Sequence, residues 1–130
     1  RRRGYITRIV HQINTCYAEA CYDACAVMIR RLVEVLIIEA FEANGDGDKI
    51  KDSDDNYLML DALASKALAT YSSKLGRVTK AALNKKKFKE LGDQSAHSWK
   101  YNAHRQDIDD VKTSLRHFCT EFLYLCGLKD

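Results

Sequence analysis

Proline is absent from this 130-residue sequence, and glycine occurs only six times. Because proline interrupts helices and both residues build tight turns, their scarcity favours long helices over a turn-rich β-sandwich. The sequence also lacks an apolar run of the roughly 18 residues that a membrane span requires, since Glu34, Glu39 and Glu42 interrupt its most apolar stretch. Neither an apolar core nor a cleavage site follows the basic N-terminus. We therefore expect neither a signal peptide nor a membrane partner.

The five cysteines form no C-x-x-C pair, and their odd number argues against a disulfide framework. Most of them occupy apolar positions of helical patterns, where a free thiol packs like a small hydrophobic side chain. This usage predicts a reducing, cytoplasmic environment. Cys21 and Cys25 are four residues apart and would share a helix face, but no histidine spacing supplies further zinc ligands. Core packing is the favoured interpretation, and we predict no metal and no cofactor.

Apolar residues recur every three or four positions along most of the chain, the pattern of helices that bury one face. The predicted helices cover residues 4–43 with a break near 18–21, then 57–73, 78–91 and 107–126. Gly45 and Gly127 are expected to end two of them, and Asp107 to cap the last. The sequence thus predicts an all-α fold, an antiparallel bundle of four to five helices. One domain is expected over residues 1–130, with an N-terminal helix in 1–20, and its start at Arg1 suggests a fragment of a longer protein with flanking domains.

Residues 44–56 form a polar stretch with five aspartates. Asn44, Asp46 and Asp48 are spaced like the first ligands of an EF-hand calcium loop. The register then fails, because Lys49 takes the place of the required glycine and Asp55 that of the final glutamate. We therefore interpret 44–56 as an acidic mobile loop rather than a calcium site.

Positive charge is concentrated in one part of the chain, although the whole sequence carries a formal net charge of only +3. The segment 74–89 contains no acid and seven cations: Lys74, Arg77, Lys80, Lys85, Lys86, Lys87 and Lys89. We call these seven side chains the basic strip. Such a strip neutralises nucleic-acid phosphates, and the nearby Trp99 and Tyr101 offer rings for base stacking. The alternative is an ordinary solvated helix face; a second basic cluster comprises Arg1, Arg2, Arg3 and Arg8.

Charged residues also interrupt the most apolar helix. One of Arg30 and Arg31 must lie near the core, and Glu34 is one turn further on, so an intrahelical ion pair is available. A partly buried pair of this kind requires further polar partners, because an uncompensated buried charge is costly. The stretch LGDQSAHSW is expected to supply them, which predicts a polar cluster of Arg30, Arg31, Glu34, Asp93, Gln94, Ser95 and His97. Gly92 and Asp93 are expected to form a turn, with the His97 ring held by polar groups of the first core helix.

The segment CYDACAVMIRRLVEVLIIEAFE, a helix pair, KFKELGDQSAHSW and a closing amphipathic helix together resemble a HEPN-type domain. More narrowly, they resemble a bacterial group with R-x-x-x-E on the first core helix and G-[ND]-x-x-A-H before the last helix. The resemblance covers roughly residues 18–128. It implies a bundle of four or more helices, commonly a homodimer, that stands alone or is fused to defence-type modules.

For active HEPN domains, the resemblance implies a metal-independent ribonuclease, in which an arginine separated from a histidine by four to six intervening residues completes the site. The histidine exchanges protons with the ribose 2′-hydroxyl or the leaving oxygen, and the arginine stabilises charge on the phosphorane. His97 matches the histidine, so it is the candidate catalytic residue. Glu90, Leu91 and Gly92 occupy the positions where the arginine should stand.

Two functional hypotheses follow. The first is a non-catalytic HEPN-like binding and dimerisation module that senses RNA or another nucleic acid in a bacterial defence or mobile-element protein. The second is a metal-independent ribonuclease with a rearranged site around His97. The missing arginine favours the first.

Overall fold

The computed structural model describes residues 2–97 and 99–128. The described residues fold into six α-helices and two short 3-10 helices, without any β-strand. The α-helices are α1 (Arg2–Ala18), α2 (Tyr22–Ala43), α3 (Leu60–Tyr71), α4 (Arg77–Asn84), α5 (Lys87–His97) and α6 (Arg105–Leu125). The predicted all-α class is confirmed, with six α-helices in place of four to five. No helix in the described ranges has the length and apolar character to cross a membrane.

The central element is α2, because α1, α5 and α6 all pack against it. Its buried residues follow the predicted helical period: Cys25, Ala26, Ile29, Leu32, Val33, Leu36, Ile37, Ala40 and Phe41. The hydrogen bond from Cys25 Sγ to the Ile13 carbonyl is consistent with α1 running antiparallel to α2. At opposite ends, Ala103 contacts Asp23 and Asn44 contacts Leu125, so α6 lies parallel to α2. The core is therefore built around one long apolar helix.

Residues in the left-handed region set the ends of several helices. The break predicted near 18–21 is present, with Ala20 at a φ of 61° between α1 and α2. Gly45 and Gly127 follow α2 and α6 at φ values of 74° and 72°, a conformation that glycine adopts without steric cost. The two predicted glycine stops are thus confirmed. The single helix predicted over 78–91 is wrong, because Lys86 at a φ of 58° separates α4 from α5.

The start of α6 differs from the prediction by one turn. His104 rather than Asp107 is the N-cap residue, and Asp107 lies inside the helix. The Asp107 carboxylate accepts hydrogen bonds from the His104 backbone N–H at 2.8 Å and from the Tyr101 hydroxyl at 3.0 Å. The bond from the His104 backbone lowers the pKa of Asp107, because it stabilises the ionised carboxylate. Tyr101 is therefore engaged at this helix start.

The acidic segment 44–56 has more local structure than its composition predicts. A 3-10 turn covers Gly47–Ile50, and the Ile50 side chain is fully buried against the core. The Tyr71 hydroxyl of α3 donates a hydrogen bond of 2.9 Å to the Asp46 carboxylate. These contacts anchor the N-terminal half of the segment, while Asp52, Asp54 and Asp55 are exposed. High mobility of the segment stays a prediction.

Removing the Tyr71 hydroxyl should raise the pKa of Asp46. That hydrogen bond is the main reason why the pKa of Asp46 is below its usual value, with Lys49 adding to the effect. A depressed native pKa stabilises the fold above the unfolded-state pKa of about 3.9, and this contribution is lost as the pH falls through the native value. In Tyr71→Phe, Asp46 should titrate at higher pH in carboxyl-detected NMR. Tyr5→Phe is the matched control; an equal shift there would contradict the assignment.

Candidate polar site and basic strip

Helix α5 packs closely on α2 at Gly92. A Cβ atom at position 92 would lie 2.6 Å from Cβ and 2.8 Å from Cδ of Arg30, which is closer than real side-chain contacts. The absence of a side chain at Gly92 therefore lets α5 lie directly on the aliphatic stem of Arg30. This contact fixes where the polar head of Arg30 can reach.

The head of Arg30 meets the next residue of α5. Arg30 Nη1 lies 3.1 Å from Asp93 Oδ1, and Lys89 Nζ donates a hydrogen bond to the other carboxylate oxygen, Oδ2. Glu34 lies one turn further along α2, with its Oε2 at 3.9 Å from Arg30 Nη2. We call Arg30, Glu34, Lys89 and Asp93 the Asp93 network. All four side chains are partly shielded, with exposed fractions between 20% and 31%.

The electrostatics of the network favour the ionised forms. The hydrogen bond from Lys89, together with the nearby Arg30, lowers the pKa of the Asp93 carboxyl below its usual value. In the opposite direction, the bond to Asp93 raises the pKa of Lys89. Asp93 and Lys89 therefore keep their charges around neutral pH, which makes this pair a poor source or acceptor of protons. The network instead links α2 to α5 through the ion pair between Arg30 and Asp93.

The other members of the predicted polar cluster lie apart from this network. Arg31 points toward α1, where its Nη2 donates a hydrogen bond of 3.0 Å to the Tyr5 hydroxyl. Gln94 and His97 are exposed, and Ser95 Oγ is buried without a hydrogen-bond partner among the described residues. The structure thus brings together Arg30, Glu34 and Asp93 from the predicted set, and adds Lys89.

Two details predicted for LGDQSAHSW are wrong. Gly92 and Asp93 do not form a turn, because α5 continues through both residues to His97. The chain changes direction after that helix. The His97 ring is not held by α2 either, since the side chain is exposed and has no hydrogen bond among the described residues. Gly92 is thus a site of close helix contact rather than of backbone reversal.

Five cations of the basic strip have no acidic partner within ion-pair distance in the described part of the chain: Lys74, Arg77, Lys80, Lys85 and Lys87. The other two are paired, Lys86 with Asp61 at 3.8 Å and Lys89 with Asp93. Arg77, Lys80 and Asn84 recur along one face of α4 and, with Leu68, Ser72 and Ala81, line a groove beside α3. Three of the five, Arg77, Lys80 and Lys85, lie on α4 and at its C-terminal end, whereas Lys74 precedes α4 and Lys87 begins α5.

The only tryptophan lies at the surface, with Trp99 88% exposed and Lys100 Nζ 5.0 Å from its ring centroid. A large aromatic ring in this position is available for stacking, unlike the partly buried Tyr101. Of the second basic cluster, Arg8 is exposed on α1; the side chains of Arg1, Arg2 and Arg3 lie outside the described structure. In the sequence, most of helix α5 lies between the basic strip and Trp99.

A contact between α1 and α6 around Tyr17 was not predicted from the sequence. The Tyr17 hydroxyl donates a hydrogen bond to Asp109 and accepts bonds from Arg105 Nε at 2.9 Å and Lys112 Nζ at 3.3 Å. Both cations also lie over the Tyr17 ring. The i, i+4 and i, i+3 spacing of the α6 charges is visible in the sequence, but nothing there indicates a tyrosine 92 residues earlier as their partner.

No three His, Cys, Asp or Glu side chains converge as metal ligands anywhere in the described ranges. Cys25 is buried in the core as predicted, whereas core packing is wrong for Cys21, which is exposed. Burial raises the pKa of Cys25 to about 11 and that of Cys119 to about 12, which disfavours their thiolate forms.

No family model, no curated protein and no solved structure matches the chain.

Replacing Gly92 by alanine should destabilise the fold, because the added methyl group would collide with the Arg30 stem. Overpacking of this kind costs about 1–3 kcal/mol in the free energy of unfolding. Gly4→Ala is the matched control: a Cβ there would lie 3.8 Å from Arg8 Nη1, an ordinary contact, so the change should stabilise helix α1 by about 0.5–1 kcal/mol. Urea denaturation measures both, and a neutral Gly92→Ala would contradict the close approach.

Proposed function

We propose that the chain is a non-catalytic, HEPN-like nucleic-acid-binding module that acts as a homodimer in the cytoplasm, within a bacterial defence or mobile-element protein. The observation that carries the proposal is the set of five strip cations without acidic partners among the described residues, together with the exposed Trp99. Single-stranded RNA is the nucleic acid that this combination fits. Its phosphates can approach the cations, and its bases are free to stack.

The binding chemistry follows from charge and exposure. A cation that already has a carboxylate partner gains little binding free energy from a phosphate. An uncompensated cation neutralises a phosphate of the polynucleotide, and the counterions condensed on the polynucleotide are then released. The groove along Arg77, Lys80 and Asn84 presents two such cations and an amide on one helix face. Base stacking on an exposed ring adds about 1–3 kcal/mol and tolerates any sequence. We therefore propose binding with little base specificity.

The state of Arg30 supports the non-catalytic assignment. A HEPN-type cleavage site requires an arginine available to the phosphorane, and no arginine precedes His97 with four to six intervening residues. Arg30 on α2 has its guanidinium engaged by Asp93 and its stem covered by α5. Freeing it would break an interhelical ion pair and disturb the packing at Gly92. The energetics thus favour a structural role for Arg30.

The alternative is a metal-independent ribonuclease with a rearranged site around His97. The exposure of the His97 side chain favours it, because a substrate in solution can reach an exposed ring. His97 is also among the groups that lower the pKa of Asp93, which places the two side chains near each other. In this alternative His97 exchanges the proton of the ribose 2′-hydroxyl, and a cation from a second copy stabilises the phosphorane.

The apolar surface between α1 and α6 supports the homodimer. Ile6, Val10, Leu123 and Leu128 line a groove there together with Thr7. Tyr124 on α6 is 63% exposed and Val10 on α1 is 38% exposed. Apolar groups at the centre of a patch are typical of interfaces between copies of one chain.

Charge removal on α4 should weaken RNA binding in a salt-dependent way. In Arg77→Gln/Lys80→Gln, the slope of log affinity against log salt should fall by about 0.7 for each lost phosphate contact. Trp99→Ala should weaken binding with little change in that slope. Fluorescence anisotropy with a labelled single-stranded RNA measures both effects.

The matched control is Arg116→Gln, which removes an exposed α6 arginine outside the strip. An equal loss in this control would show a net-charge effect and contradict the assignment of the strip. Gel analysis of the same RNA distinguishes the alternative: cleavage that is lost in His97→Ala would establish the ribonuclease, whereas intact RNA supports a binding module.

A charge introduced on the apolar surface should dissociate the homodimer. Tyr124→Glu places a carboxylate at an exposed position, so the monomer fold should persist while apposition of two copies becomes unfavourable. Multi-angle light scattering at micromolar concentration should report a dimer for the parent chain and a monomer for the variant. A monomeric parent chain would contradict the homodimer, and His117→Glu, an exposed change on the same helix, should leave the dimer intact.

A further inference from the structure

A second cationic site lies between α1 and α2, away from the strip in sequence. Tyr5, Arg8 and Gln12 recur at intervals of three and four residues, which places them on one face of α1. Met28 and Arg31 are three residues apart on the facing side of α2. These five residues and Ile9 line a common cleft. The cleft thus combines polar hydrogen-bond donors with an apolar floor.

The two arginines in the cleft have no carboxylate partner among the described residues. Neither Arg8 nor Arg31 lies within ion-pair distance of an acid in the described part of the chain, and none of the lining residues is acidic. Arg30, one residue away on α2, differs in this respect, because its Nη1 lies 3.1 Å from Asp93 Oδ1. Two exposed guanidinium groups beside one cleft create a local positive potential that the net charge of +3 does not reveal.

The position of Arg31 is set in advance by Tyr5. The Tyr5 hydroxyl accepts a hydrogen bond from Arg31 Nη2 at 3.0 Å, and the guanidinium carbon lies 5.8 Å from the centre of the tyrosine ring. This contact uses one of the guanidinium nitrogens and leaves the others free to donate. Arg8 Nη1 lies 3.8 Å from the position that a Cβ atom at Gly4 would occupy, which is an ordinary contact distance. Arg31 is therefore held at the cleft by Tyr5, while Arg8 is exposed beside it.

We propose that this cleft binds a phosphate monoester, with the phosphate between Arg8 and Arg31 and the organic group over Ile9 and Met28. A dianionic phosphate matches two planar guanidinium groups, which form paired hydrogen bonds to its oxygens. Gln12 offers an amide donor, and the Tyr5 hydroxyl hydrogen is available to a further oxygen. The apolar floor distinguishes this ligand from free phosphate, since it covers a ring or an alkyl group. A mononucleotide and the 5′-phosphorylated end of a polynucleotide share this chemistry.

An NMR titration of the full chain with AMP tests the proposal, with adenosine as the matched probe that lacks the phosphate. The Nε–H signals of Arg8 and Arg31 and the amide of Gly4 should shift with AMP and remain in place with adenosine. Inorganic phosphate should bind more weakly than AMP. A 5′-phosphorylated oligonucleotide that shifts the Arg8 and Arg31 signals at lower concentration than AMP, when its 5′-hydroxyl form does not shift them, would identify the polynucleotide end as the source. Equal shifts of these signals with AMP and with adenosine would overturn the proposal.

Variants locate the site. Arg8→Gln and Arg31→Gln should each weaken AMP binding on the order of tenfold, as expected for the loss of one charge-assisted pair. Tyr5→Phe, which releases Arg31 but keeps both charges, should weaken it less than either arginine variant. Arg77→Gln, in the strip, should leave AMP binding unchanged, and this separates the cleft from the proposed RNA surface. The proposal is wrong if AMP binding survives both arginine variants, or if Arg77→Gln lowers it equally.

Discussion

The close contact between Gly92 and Arg30 determines how the bundle is arranged. Because position 92 has no side chain, α5 lies directly on the stem of Arg30, and the guanidinium group then reaches Asp93 on the same helix. Packing and charge pairing therefore support the same helix arrangement. A residue with a Cβ atom would move α5 outward and separate Arg30 from its carboxylate partner. Arg30 would then be partly shielded from water without a carboxylate partner, and the desolvation of its charge would lower the stability of the fold.

This contact also explains why two adjacent arginines have different properties. A step of one residue rotates a helical side chain by about 100°, so Arg30 faces α5 while Arg31 faces α1. Arg30 is compensated by Asp93 and Glu34, whereas Arg31 contacts the hydroxyl and ring of Tyr5 and has no carboxylate partner among the described residues. The sequence indicates that one of the two must lie near the core. It does not indicate which, because the answer depends on where α1 and α5 pack.

Elements fixed by local chemistry were predictable, and those fixed by tertiary contacts were not. The apolar period of α2 and the glycines at positions 45 and 127 depend on nearby residues, and the structure agrees with them. The division at Lys86 was not predictable, because a lysine in the left-handed region has no sequence signature and is held there by its surroundings. The burial of Ile50 was similarly hidden inside a polar segment. For the candidate site, the pairing of Arg30 with the Gly92–Asp93 region follows from charge balance, while the exposure of His97 depends on how far α5 extends.

The distribution of carboxylates, rather than that of cations, defines the surfaces that remain available for an anionic ligand. Lysine-rich segments are common on solvated helices, so the basic strip alone is weak evidence for binding. Asp61 on α3 compensates Lys86, and Asp93 on α5 compensates Lys89, so these two strip cations are already paired. The cations left on α4 face a groove, and Arg8 and Arg31 face another beside α1. A mutation that removed Asp93 would therefore have two effects at once: it would loosen α5, and it would free Lys89 and Arg30 to attract an anion. Stability and anion affinity are coupled at this carboxylate, so a gain in binding on its removal would not by itself identify a binding residue.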